Sequence, residues 1–236
     1  MIKIFRRIRK QLLIESKVNR YFLYAIGEII LVVIGILIAL SINNWNVKKV
    51  ARKAELTFYK HTKQQLLDDV NNIRSQIEYN NRYLEQFNYA TTLIQNQNRS
   101  KKDSLSLVAM NLLTNSDFDR QGNIYETTVN SGDIKLLKNN LIIDGLRRLE
   151  ESYMYVNRME NIHFDAVLSM VPEIKQAVRF STRTIENENL LYSYQFENLF
   201  SLSIKIMLEK DETYERALYQ IDSLIKLMDG EINSKK

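Results

Sequence analysis

Residues 21–45 read YFLYAIGEIILVVIGILIALSINNW. From Tyr21 to Ile42 the run carries one charge, Glu28, and no proline. As a helix it rises about 33 Å, enough to cross the hydrocarbon layer of a bilayer. The stretch therefore predicts a transmembrane helix, with the lipid bilayer as the chain's first partner. Its position sets the domain plan: 1–20 a basic amphipathic cytoplasmic segment, 21–45 the transmembrane helix, and 46–236 a helical extracytoplasmic domain. A cleaved secretory signal would use Ala39 and Ser41 as small residues before the cut. The apolar run is longer than the roughly 7–15 residues of a signal core and its leader is long, so retention is the expectation.

Within the span, Glu28 lies about 10 Å inside the start of the apolar run, where an ionised carboxylate is costly unless paired, hydrated or protonated. Two readings stand: a polar contact to a partner helix, or a locally solvated carboxylate with Lys17 and Arg20 snorkelling towards it. Gly35 and Ala39 form a small-xxx-small pair, with Gly27 expected on the same face eight residues before Gly35. Such pairs let membrane helices approach closely, although Gly and Ala are common in spans generally. The candidate helix–helix contact residues are Gly27, Glu28, Gly35 and Ala39, with Arg20 and Trp45 as interfacial anchors.

The net charge of +5 is localised. Seven Lys and Arg against Glu15 give residues 1–20 about +6, so the remainder is near neutral. A nucleic-acid partner needs a basic face on the folded domain and is not expected; an anionic lipid surface is the better counter-charge. In residues 2–17 the apolar Ile2, Phe5, Ile8, Leu12 and Leu13 recur at helical spacing between basic residues, as in a segment lying on a membrane surface. Six Lys and Arg, from Lys48 to Lys63, follow the span, so the bias towards an N-terminus inside is slight by count. The domain beyond the span is expected outside the cytoplasm. The absence of cysteine excludes disulfides, thiol catalysis and thiolate metal sites.

One proline and six glycines in the whole chain argue for an all-α fold. Residues 47–98 predict a long helix continuing the span, with Leu56, Tyr59, Leu66, Val70, Ile73, Ile77, Leu84, Phe87 and Ile94 on one a/d register interrupted by Lys63, Asn80 and Thr91. That seam serves a self-paired coiled coil or an intramolecular bundle, and the bundle is favoured. After the polar break NRSKKDS at 98–104, Asp103 or Ser104 is the expected cap of a helix through Leu113. A second break covers Thr114 to Gly122. Short helices are expected on either side of Ser131-Gly132, with Gly132 a left-handed C-cap. A long helix follows from about Leu141 to Val171, with Leu146, Leu149, Tyr153, Val156, Met159, Phe164, Val167 and Met170 inward, and Pro172 as its boundary or a kink. Two or three more helices complete the bundle, the last from about Glu212 to Met228, ending before Gly230.

Site chemistry is sparse. His61 and His163 are the only imidazoles, and no H-E-x-x-H, G-x-S-x-G, Walker A or G-x-G-x-x-G motif occurs. No catalytic, cofactor-binding or metal residues are assigned. Asp117, Asp119, Gln121, Gly122 and Ile124 echo the start of a calcium loop, but Thr128 stands where a bidentate glutamate belongs, so an inter-helix turn is the default. The adjacent Glu150 and Glu151 read as solvated surface.

The basic leader followed by YAIGEIILVVIGILIALSINNWN, and later YETTVNSGDIKLLKN, resembles a family of bacterial single-span membrane proteins found in the Bacteroidetes group and known only as a domain of unknown function. The resemblance implies a cytoplasmic (inner) membrane address with the helical domain in the periplasm, and carries no activity. The expected function is a non-enzymatic interaction or scaffold component of the envelope, acting on a membrane or periplasmic protein or as a homo-oligomer. The alternative is a ligand-binding, sensor-like module that signals through a membrane partner.

Overall fold

A computed structural model describes residues 18–120 and 122–234, excluding the side chains of residues 18–21 and 24. The amphipathic stretch expected over residues 2–17 and the Arg20 side chain lie outside the described residues. The elements are α1 (Val18–Gln95), α2 (Lys102–Met110), α3 (Ile124–Ser131), α4 (Asn140–Ala177), α5 (Glu188–Leu191) and α6 (Tyr194–Asn233), with short 3-10 turns at Arg99–Lys101, Asn111–Leu113 and Asp133–Leu136. The fold is all-α, as the sequence predicts. The chain divides into two compact units, residues 1–54 and 55–236.

In the first unit α1 displays its apolar side chains from Phe22 to Val50. Its most apolar window has a mean hydropathy of 2.8 and no buried residue. Among the described residues this is the one helix long and apolar enough to cross a membrane. Trp45 is exposed beneath the Lys49 ammonium, 5.0 Å from its ring.

In the second unit three long helices share a heptad-built core. On α1, Tyr59, Leu66, Ile73, Asn80, Phe87 and Ile94 recur every seven residues and are all fully or almost fully buried. On α4 the buried positions alternate by four and three: Ile142, Leu146, Leu149, Tyr153, Val156, Glu160, His163, Val167, Met170 and Ile174. On α6 the same alternation runs through Phe196, Phe200, Ser203, Met207, Lys210, Tyr214, Ala217, Ile221, Leu224 and Met228. A strict seven-residue repeat keeps one seam facing its neighbours along the whole helix. The long apolar seam of α1 is thus filled from within the chain. Helices α4 and α6 run antiparallel, since Gly145 meets Leu224, Glu160 meets Tyr214 and Met170 meets Ser203. A Cβ at Gly145 would stand 2.6 Å from Leu224 Cδ2, so glycine here lets α6 seat on α4.

Several expectations are corrected. Leu56, Val70 and Ile77 are only half-buried, whereas Glu55, Thr62 and Asp69 face inward. These polar groups are burial-tolerant because they are bonded: Glu55 Oε1 accepts from Tyr59 Oη at 3.0 Å and the Lys138 amide at 2.9 Å, and Asp69 Oδ2 from Tyr153 Oη at 2.7 Å. Phe164 is exposed; the inward place belongs to His163. Helix α4 passes through Pro172 to Ala177. Helix α6 begins eighteen residues before Glu212 and runs past Gly230 to Asn233, because its heptad seam is unbroken throughout. Neither Asp103 nor Ser104 caps α2; its N-cap is Lys101, without a side-chain bond, since a 3-10 turn already leads into it. Glu150 is held by Arg120 at 2.8 Å and Asn123 at 3.0 Å. Gly132 is the left-handed C-cap expected, with φ of 80°.

Candidate functional site

A continuous α1 sorts the intramembrane candidates by angle. Glu28, Val32, Gly35 and Ala39 are spaced four, three and four apart and fall within about 60° of one another on the helix wheel. Gly27 lies about 80° round from Gly35, off that stripe. A Cβ at Gly27 or Gly35 would meet no atom within 4 Å. Glu28, Ala25, Ile29, Val32 and Val33 border a shallow groove of about 390 Å³.

A second group of chemistry-bearing residues lies inside the helical unit. Two apolar cores, one around Phe87, Phe196 and Phe200 and the other around Tyr59, Leu146 and Ile221, flank a polar layer. Asn80, Ser116, Glu160, His163, Lys210 and Tyr214 compose it, each at most 4% exposed. Lys210 Nζ donates to His163 Nδ1 at 2.7 Å and to the Ser116 carbonyl at 3.0 Å. Glu160 Oε1 accepts from the Phe118 amide at 2.7 Å and from the Tyr214 hydroxyl. Ser116 Oγ donates to Asn80 Oδ1 at 2.7 Å, and Asn80 Nδ2 donates to Asp211 Oδ1 at 2.6 Å. The layer so ties three helices to the irregular segment 114–123.

Burial sets its protonation. Desolvation raises the Glu160 carboxyl to about 7, opposed by the bonds from Tyr214 and Phe118. Desolvation lowers His163 to about 3, reinforced by the Lys210 charge, so the imidazole is neutral and accepts at Nδ1. Lys210 falls to about 8 by desolvation, held up by Glu160, Asp211 and Asp117. Tyr214 is pushed up by burial and by the neighbouring carboxyl. Glu160 Oε2 is buried without a hydrogen-bond partner. The layer has an acid, a base and an ammonium, but all are sealed within the bundle. As it stands it can lock register and clamp a loop, and a substrate would need the bundle to open.

Sequence reading missed this layer. Its one available signal was that the α4 and α6 heptads run straight through Glu160, His163 and Lys210 rather than breaking there. Of the calcium-loop residues, Thr128 is buried and spends its hydroxyl on the Ile124 carbonyl at 2.6 Å, and the Asp117 amide donates to Gln76 Oε1 at 3.2 Å. No group of three or more metal-ligating side chains occurs among the described residues.

A helical protein with one long apolar helix and a heptad-built unit is the class that these features define. The chain belongs to a family of unknown function, DUF6090, whose model matches residues 28–207, more than half of its length. The match starts at Glu28, inside the apolar stretch, and includes the first two helices of the polar layer. Comparisons with curated proteins and with solved structures give no match.

Proposed function

We propose that this chain is a single-pass protein of a bacterial cytoplasmic (inner) membrane, N-terminus inside and helical domain in the periplasm, which works by contact rather than by catalysis. The observation that carries this reading is the Glu28–Val32–Gly35–Ala39 stripe. A carboxylate inside a span is tolerated when it faces protein or water, and small residues two and three turns further on allow a second helix to come close. The partner is another membrane helix or a second copy of this chain. The helical unit contributes rigidity: its three heptad seams are mutually satisfied, and its acid–base groups are spent on internal bonds. Trp45 marks the far interface.

The test is the mass of the full chain purified in a mild non-ionic detergent. Glu28→Leu and Gly35→Leu should each reduce the assembled species to monomer or strip its stoichiometric companion, while Gly27→Leu, off the stripe, should leave it intact. An unchanged mass and companion set for all three variants would sink the contact reading.

A further inference from the structure

The geometry points to an anion-binding site on the outer face of the helical unit, in the cleft between α4 and α6, for a small organic phosphate or carboxylate. The cleft encloses about 350 Å³ and is walled by one stripe of α4 and one stripe of α6. Arg148, Ser152 and Tyr155 come from α4 at helical spacings of four and three; Arg216 and Gln220 face them from α6. Arg216 lies over the Tyr155 ring at 5.9 Å, and Arg158 from the next turn at 5.4 Å, so the ring is held between guanidinium groups.

Four side chains able to donate line the cleft: Arg148, Ser152, Arg216 and Gln220. Neither Arg148 nor Arg216 forms an ion pair among the described residues, although acidic side chains are near. The carboxylate that lines the cleft, Glu151, is engaged by Arg147 at 2.7 Å. Asp144 and Glu212, one turn before the two arginines, do not reach them. Neither the Ser152 hydroxyl nor the Gln220 side-chain NH2, the part of that amide able to donate, has a partner among the described residues, while the buried, unpartnered Gln220 Oε1 is an acceptor and offers an anion nothing. Thr213 at the floor already donates to the Lys210 carbonyl at 2.7 Å, leaving its lone pairs and not its proton. Two forked guanidiniums, a hydroxyl and an amide suit a tetrahedral or planar oxyanion, because such an ion accepts several charge-assisted bonds at once. The apolar flank of Tyr155 gives room for the organic group that carries the anion. This site is separate from the intramembrane stripe, and its failure would leave the lateral contact untouched.

The experiment is calorimetric titration of the full chain in zwitterionic-lipid nanodiscs with phenyl phosphate and with benzoate, at constant ionic strength. Saturable binding to one site is expected, weakened at least tenfold in Arg148→Gln/Arg216→Gln. Both positions are exposed, so circular dichroism and melting of the variant should match the parent. A parallel arm adds phosphatidic acid to the nanodiscs: if soluble probes compete with that lipid for the site, a headgroup is the source of the anion, and if the lipid has no effect, a free metabolite is. No saturable heat with either probe, or equal affinity in parent and folded variant, overturns the proposal.

Discussion

Lys210 and His163 share a hydrogen bond that a charged ammonium serves as donor and a neutral imidazole as acceptor at Nδ1. That arrangement has a pH signature. His163 falls from its ordinary 6.5 to about 3 on folding, so the unfolded chain takes up a proton first on acidification. Its contribution is fully present above pH 6.5 and is lost as pH falls from there towards 3. Glu160 moves the opposite way, from 4.5 to about 7, so its contribution is present below pH 4.5 and is lost as pH rises through 7. Lys210, lowered to about 8, weakens the fold as pH falls from 10.5 towards 8. Between pH 4.5 and 6.5 the first two slopes oppose, and stability should be nearly flat. His163→Gln keeps an acceptor for Lys210 but removes one slope, so the variant should lose about 3 kcal/mol between pH 4.5 and 7. Thermal melts of the full chain in non-ionic detergent across that range check it; a flat profile in the variant would refute the assignment. At Gly132 the issue is backbone instead. With φ of 80° and nothing within 4 Å of a Cβ, Gly132→Ala has space but not conformation, and should cost about 1 kcal/mol in the same melts.

At the scale of elements, α4 carries Pro172 without ending there. The proline leaves the Leu168 carbonyl, on an exposed residue, without its intrahelical donor. Restoring it should help: Pro172→Ala is expected to stabilise the unit by about 1–3 kcal/mol. A melting temperature that stays level or drops would mean the ring's fixed φ is worth more than the bond. The same helix shows what was legible beforehand. Apolar heptads announce a seam wherever Leu, Val, Ile, Met or an aromatic fills it, so Leu146, Leu149, Tyr153, Val156, Met159, Val167 and Met170 were all placed inward from the sequence and are all buried. Phe164 went wrong because an apolar residue beside a histidine looks like the core position, and only the partner Lys210, 47 residues on, reverses the choice. Glu55 and Asp69 were missed for the same reason: their partners, Lys138 and Tyr153, are 83 and 84 residues away. Local signals did better at Gly132, the left-handed C-cap expected there; the Asn139 cap of α4, whose side chain accepts from the Leu141 amide at 3.0 Å, was not predicted. The long apolar stretch was read by length and composition, which need no partner at all.

For the molecule as a whole, the polar layer raises a question of purpose, because burying ions rarely gains stability over a well-packed apolar layer. Breaking the layer at one point should be severe. Lys210→Met leaves His163 Nδ1 and the Ser116 carbonyl without their donor and Glu160 without a compensating charge, for an expected loss of about 3–5 kcal/mol. Replacing it entirely should not be. With Asn80→Leu, Ser116→Ala, Glu160→Met, His163→Leu, Lys210→Met and Tyr214→Phe together, the two apolar cores join through one seam, and the melting temperature should equal or exceed that of the parent. What the fused core cannot replace is the hold on residues 114–123, where Ser116 and Phe118 are tied to Asn80, Lys210 and Glu160. In the parent that segment is also closed by Arg120 on Glu150 and over the Tyr153 ring at 5.7 Å, so trypsin should cut at Arg120 slowly. The sixfold variant should be cut there at least tenfold faster despite its equal or higher melting temperature, since proteolysis reads the local opening and not the global one. Unchanged cleavage would show that the layer fixes helix register alone, with the segment held by Arg120 and Phe118 packing.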